Sequence, residues 1–204
     1  MSQSFDINEL ESMYTERSMV AEATSRATTR KGDYVATIKA ASPRVAEDKS
    51  PFPGRRMISL QVTVQNTEGQ TVTLFQDVSW ELYRELTVAG QRTLVKPGDE
   101  GYDHSLKMDK PARLWSQVEK AFNPDGELSI AELVKSLPGS TIGVFIMEGF
   151  INDSNDMIWP ESRPNDFSTY EEYVKEYDAE KAKAISQGYQ PKNFVSNFHK
   201  IKEG

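Results

Sequence analysis

The chain of 204 residues contains no cysteine and only two histidines, His104 and His199. Disulfides and thiolate metal sites are excluded, and the histidine pair forms no metal-binding motif. No apolar run approaches the roughly 20 residues of a membrane-spanning helix, so no membrane partner is expected. Gly-rich phosphate loops and nucleophile motifs are missing too. An enzyme is therefore not expected, nor is any cofactor. The first residues, Met1-Ser-Gln-Ser-Phe-Asp-Ile-Asn8, lack the basic and apolar regions of a secretory signal. The expected location is the cytoplasm.

Charge is present in quantity but unevenly placed. The formal net charge is −7. Nine acids and two bases between residues 153 and 180 account for all of it. Residues 26–60 run the other way, with eight bases against three acids. Screening limits the reach of exposed charge to about 8 Å at physiological salt. An acidic chain can therefore carry a locally basic face. The alternative is that both stretches are ordinary solvated surface.

Alternating patterns dominate the first third. Residues 34–40, 57–65 and 71–78 alternate apolar and polar side chains, as half-buried strands do. Ile58, Leu60, Val62 and Val64 form a uniformly aliphatic face, with Ser59, Gln61 and Thr63 opposite. Asn66-Thr-Glu-Gly69 predicts a tight turn between the second and third strands. Between the first two lies a basic loop over 42–56, in which Pro51 and Pro53 flank Phe52. Its prolines argue against regular pairing from Pro43 to Pro53.

Helical signals come later. Residues 6–22 carry a modest helical pattern, and 1–31 as a whole reads as an N-terminal extension. Residues 80–86 and 91–95 fit either a helix or a strand pair. Asp109 with Pro111 predicts a helix start, and Leu114, Trp115, Val118, Ala121 and Phe122 give it an apolar stripe. Ser129 and Glu132 form a capping-box pattern ahead of a short second helix ending before Pro138-Gly139. Residues 141–151 predict a fourth strand, 157–159 a short partner and 193–201 a last strand. A charged helix is expected over 169–186, marked by Tyr170, Tyr173, Val174, Tyr177 and Ile185, with Gly188 at its C-terminal cap.

The expected fold class is mainly β with helical additions (α+β). A single domain over 32–204 would carry a helical insertion at about 109–137 and an acidic helix at about 169–187. Five or so strands, with helices between the third and fourth, is the order of an OB-fold-like five-stranded barrel. A β-sandwich remains open. The chain resembles the OB-fold single-stranded DNA-binding proteins of bacteriophages and related mobile elements. The resemblance rests on Gly32-Asp-Tyr-Val-Ala-Thr-Ile38, the basic loop, and Met57-Ile-Ser-Leu-Gln-Val-Thr-Val64. It continues through Arg113-Leu-Trp115, Glu132-Leu-Val-Lys-Ser-Leu-Pro-Gly139, Ile142-Gly-Val-Phe-Ile146 and Asn193-Phe-Val-Ser-Asn-Phe-His-Lys-Ile201. It implies sequence-nonspecific binding and protection of single-stranded DNA in replication or recombination. It also implies replication or recombination proteins as partners, homo-oligomerisation, and a bacterial host cytoplasm for a phage-encoded protein. Many such proteins end in an acidic tail; here the acidic block is internal.

The residues that this chemistry would use are Tyr34, Lys39, Arg44, Lys49, Phe52, Arg55, Arg56, Phe75 and Trp159. Cations hold phosphates, and aromatic faces stack unpaired bases. Each has a plainer reading: Phe52 as a loop anchor, Arg55 and Arg56 as a solvated strand start, Tyr34 and Phe75 as packing residues. Trp159, beside Pro160, is expected to be partly exposed and to touch a base or another subunit. Asp99, Asp103, His104 and Asp109 cluster in a loop without recognisable metal spacing. The rival reading is a protein-interaction or assembly module on a β-barrel, docking through the acidic 153–180 region.

Overall fold

A computed structural model describes residues 27–46, 53–154 and 156–201. The expected helix over 6–22 and the candidates Lys49 and Phe52 lie outside these residues. The strands are β1 (Gly32–Val45), β2 (Arg56–Gln65), β3 (Thr71–Val78), β4 (Arg84–Val88) and β5 (Gln91–Val95). Helices α1 (Lys110–Phe122) and α2 (Ile130–Ser136) follow, then β6 (Thr141–Ile151) and β7 (Met157–Ile158). A 3-10 turn at Pro164–Asp166, α3 (Tyr170–Ser186) and β8 (Gln190–His199) complete the order.

The main sheet is antiparallel, in the order β3-β2-β1-β6, with β8 on the other edge of β6 and β7 at its end. β1 is shared between two neighbours. Gly32–Thr37 pairs with β6, and Thr37–Val45 pairs with β2. A bulge between Ile38 and Ala40 marks the change, and a bulge there bends the strand and curls the sheet. β1 runs past Pro43, contrary to the expectation that proline would end the pairing. Beyond Thr37 it has β2 on one side only, and such an edge accommodates a residue without an N–H.

One side of the sheet holds the core. Ile38, Ile58, Leu60, Val62, Val72, Leu74, Ile142, Val144 and Ile146 are buried there. Leu114, Trp115 and Val118 of α1 and Leu133 and Val134 of α2 close over them. Asp109 caps α1, accepting from the Ala112 N–H, and the Ser129–Glu132 capping box forms as its spacing predicted. The β2–β3 hairpin turns at Gly69, whose φ of 74° only glycine adopts without strain.

The expected closed barrel is not formed. β3 and β8 approach each other but share no ladder. α1 lies against both and satisfies the edge instead. Gln117 accepts from the Phe198 N–H at 2.9 Å, and the Ser79 N–H donates to the Pro111 carbonyl at 3.1 Å. Arg113 donates to the Ser196 carbonyl at 3.3 Å. A covered edge needs no closure. The ambiguous 80–95 stretch is a strand pair: β4 and β5 form a separate two-stranded ribbon. Its turn holds Ala89 at φ 50° beside Gly90 at φ 79°.

Candidate nucleic-acid interface

The outward face of β1, β2 and β3 follows from the alternation that buries the inward one. Every second side chain must point away from the core. Thr37, Thr63 and Thr73 form one cross-strand row. Gln61 lies opposite Phe75 on one side and Ala40 on the other, and the bulge places Lys39 beside Ala40. The next row toward the end of β1 is Ser42, Ser59 and Asp77, and Arg44 follows it. Arg44 reaches back to Asp77 at 3.3 Å.

Phe75 is 61 % exposed on β3, the edge strand of this face. It is not a packing residue. It shares the face with the threonine row, with Gln61 beside it and with Lys39 and Arg44 two strands away on β1, which suits a ring available for stacking. Lys39 is exposed and has no ion pair among the described residues. The face continues across β6 and β8. Val35, 61 % exposed, aligns with Gly143 and His199. The His199 ring lies over Gly143, where a Cβ would come within 2.3 Å of its Nε2. His199 Nε2 stands 3.8 Å from Asp33. The sequence reading assigned no role to Gln61, Thr63, Thr73 or His199. The polar half of each alternation was the signal for the first three.

Arg55 does not belong to this face. It is 3 % exposed and holds Asp109 with both terminal nitrogens. Its Nε donates to Ser79 Oγ at 3.1 Å, and its guanidinium sits 4.3 Å above the Tyr83 ring. A cation this committed serves the fold, joining the second strand's start to the cap of α1. Arg56 is half-buried, paired with Glu81 at 2.9 Å and 5.8 Å from the Trp80 ring. Tyr34 is also half-buried. Its hydroxyl donates to the Arg30 carbonyl at 2.8 Å and accepts from Thr29 at 2.7 Å. Packing, the plainer reading of Tyr34, holds.

Trp159 is 48 % exposed but stands elsewhere, just past β7, which pairs with the last two residues of β6. Phe75, Lys39 and Arg44 are brought together; Trp159 is not. The Asp99–Asp109 cluster disperses into local roles. Asp109 is the α1 cap, Asp99 accepts from the Lys96 N–H at 2.9 Å, and Asp103 accepts from the Ser105 N–H at 2.7 Å. That bond holds the Asp103 carboxyl below its ordinary range. Among the described residues no three His, Asp or Glu side chains converge as a metal site would require.

The acidic α3 is partly spent on structure. Glu172 completes a capping box with Thr169, and Asp178 pairs with Arg30 at 3.1 Å. Glu180 accepts from the Ser162 N–H and hydroxyl. Tyr173 and Tyr177 face inward as the pattern predicted, whereas Tyr170 and Ile185 are exposed. Comparison of the chain with family models, with curated proteins and with solved structures finds no match.

Proposed function

We propose that the outward face of β1, β2 and β3 binds single-stranded DNA without sequence preference, protecting it during replication or recombination. The observation that carries the proposal is Phe75, an exposed ring on the edge strand of a polar sheet face, with Lys39 and Arg44 two strands away on β1, one on either side of its row. A ring and cations so placed offer stacking and phosphate contacts together, and neither depends on base identity. The role is binding rather than catalysis. Its Thr and Gln side chains supply hydrogen bonds that any strand can use.

The same proposal takes the main sheet as OB-type, left open at one seam. Three features support it. β1 is bent by a bulge and shared by two neighbours, the helices come between β3 and β6, and β3 and β8 draw together around α1.

The test is a titration of labelled oligothymidylate of about 20 nucleotides against a duplex of equal length, at about 50 and 200 mM salt. Strong preference for the single strand is expected, with affinity falling as salt rises. Phe75→Ala should weaken it by about 1–3 kcal/mol, the range for a lost base stack. Its stability should change by less than about 0.5 kcal/mol, because the ring is exposed. Equal affinity for duplex, or wild-type affinity in Phe75→Ala, rejects the proposal.

A further inference from the structure

A second location carries chemistry that the outward face does not use. Where β6 runs past β1, Glu148 is 1 % exposed. Its carboxylate accepts from the Tyr177 hydroxyl and from Lys181 Nζ, the latter at 3.0 Å. The Lys181 ammonium balances its charge. Above it, Glu180 gathers the N–H groups of Glu161 and Ser162 and the Ser162 hydroxyl, pinning the 159–163 segment to α3. A cavity of about 380 Å³ is left between these parts. That volume falls within the range of small-molecule sites, about 300–1,000 Å³.

Four side chains bring ligand-binding chemistry to the cavity. Tyr173 is 2 % exposed, yet its hydroxyl makes no hydrogen bond among the described residues. Burial pushes its pKa up, so it stands as a neutral donor. No buried side-chain polar atom among the described residues lacks a partner, so this hydroxyl opens onto the cavity, where it can donate to a ligand oxygen. Lys31 and Arg163, both exposed, place two cations at the cavity with no ion pair among the described residues. Trp159 forms a wall. Its indole rests on Gly149, where a Cβ would lie 3.1 Å from the ring, and packs 5.5 Å from the Phe194 ring.

The geometry points to a site for one nucleobase–phosphate unit, with the base against Trp159 and the phosphate held by Lys31, Arg163 and the Tyr173 hydroxyl. Cations and a neutral donor select an anion, and the indole selects a planar group attached to it. A free mononucleotide and the 5′-terminal nucleotide of a strand share this chemistry. The inference extends the nucleic-acid reading to a place separate from Phe75, so the two can fail separately.

Calorimetric titration of the full chain with dTMP, thymidine and inorganic phosphate tests it, with Tyr173→Phe, Arg163→Gln and Phe75→Ala as variants. dTMP should bind, and thymidine and phosphate should each bind at least about tenfold more weakly. Tyr173→Phe and Arg163→Gln should each weaken dTMP by about tenfold, while Phe75→Ala leaves it unchanged. Tyr173→Phe should melt no lower than wild type, because the hydroxyl makes no hydrogen bond among the described residues and faces the cavity. A 5′-phosphorylated oligothymidylate that outbinds its 5′-hydroxyl counterpart, with the advantage lost in Arg163→Gln, identifies the strand end as source. No such advantage alongside dTMP binding identifies the free nucleotide. Absence of dTMP binding at about 10 mM, unchanged binding in both pocket variants, or a destabilised Tyr173→Phe chain overturns the inference.

Discussion

Arg55 illustrates how one side chain's surroundings decide its role. In the sequence it is one of two adjacent arginines at the start of a strand, next to a basic loop. In the fold its neighbour Arg56 remains half-exposed, while Arg55 turns inward to Asp109, Ser79 and the Tyr83 ring. Asp109 in turn caps α1. Removing one partner of a buried ion pair strands the other charge, at about 3–5 kcal/mol. Arg55→Met should therefore lower unfolding free energy by that amount in urea denaturation. A loss under about 1 kcal/mol would mean that the pair is not buried as described. Nothing in the local sequence separates Arg55 from Arg56. The difference comes from Asp109, more than fifty residues away.

At the scale of elements, the alternating strands and the capped helices were legible, because their signals are local. β2 and β3 fall where the aliphatic alternation placed them, and the Ser129–Glu132 and Asp109 caps form as their spacing implies. The extension of β1 through Pro43 was not legible, because it depends on which edge lacks a partner. The 80–95 ribbon was undecided, since Ala89-Gly90 fits a helix break as well as a hairpin turn. α3 adds an element-scale prediction. Burial and the hydrogen bond to Glu148 raise the Tyr177 pKa above the ordinary phenol value. A raised pKa in the fold means that the unfolded chain ionises first. The tyrosine's contribution is then fully present below about pH 10 and is lost as pH rises above it, by up to about 1.4 kcal/mol per pH unit. Tyr177→Phe should therefore show a shallower alkaline loss of stability than wild type. Parallel curves above pH 10 would contradict the burial of that hydroxyl.

For the whole molecule, charge asymmetry in the sequence became only a partial asymmetry in space. Of the bases expected to form one patch, Arg55 is internal, Arg56 and Arg44 are paired with acids, and Lys39 stands on the sheet face without an ion pair among the described residues. The acids of α3 meet Arg30 and the backbone of the 161–162 segment. What unites the candidate site is therefore the sheet rather than the charge count. A β-alternation that buries one face exposes the other, and Phe75 lies on the exposed one. The most direct measurement is a chemical-shift footprint of the isotope-labelled chain titrated with a short oligothymidylate. The account predicts that the largest shifts fall on Lys39, Arg44, Gln61, Thr63 and Phe75. Shifts absent from that face at saturating oligonucleotide, or confined to β4, β5 and α2, would contradict it.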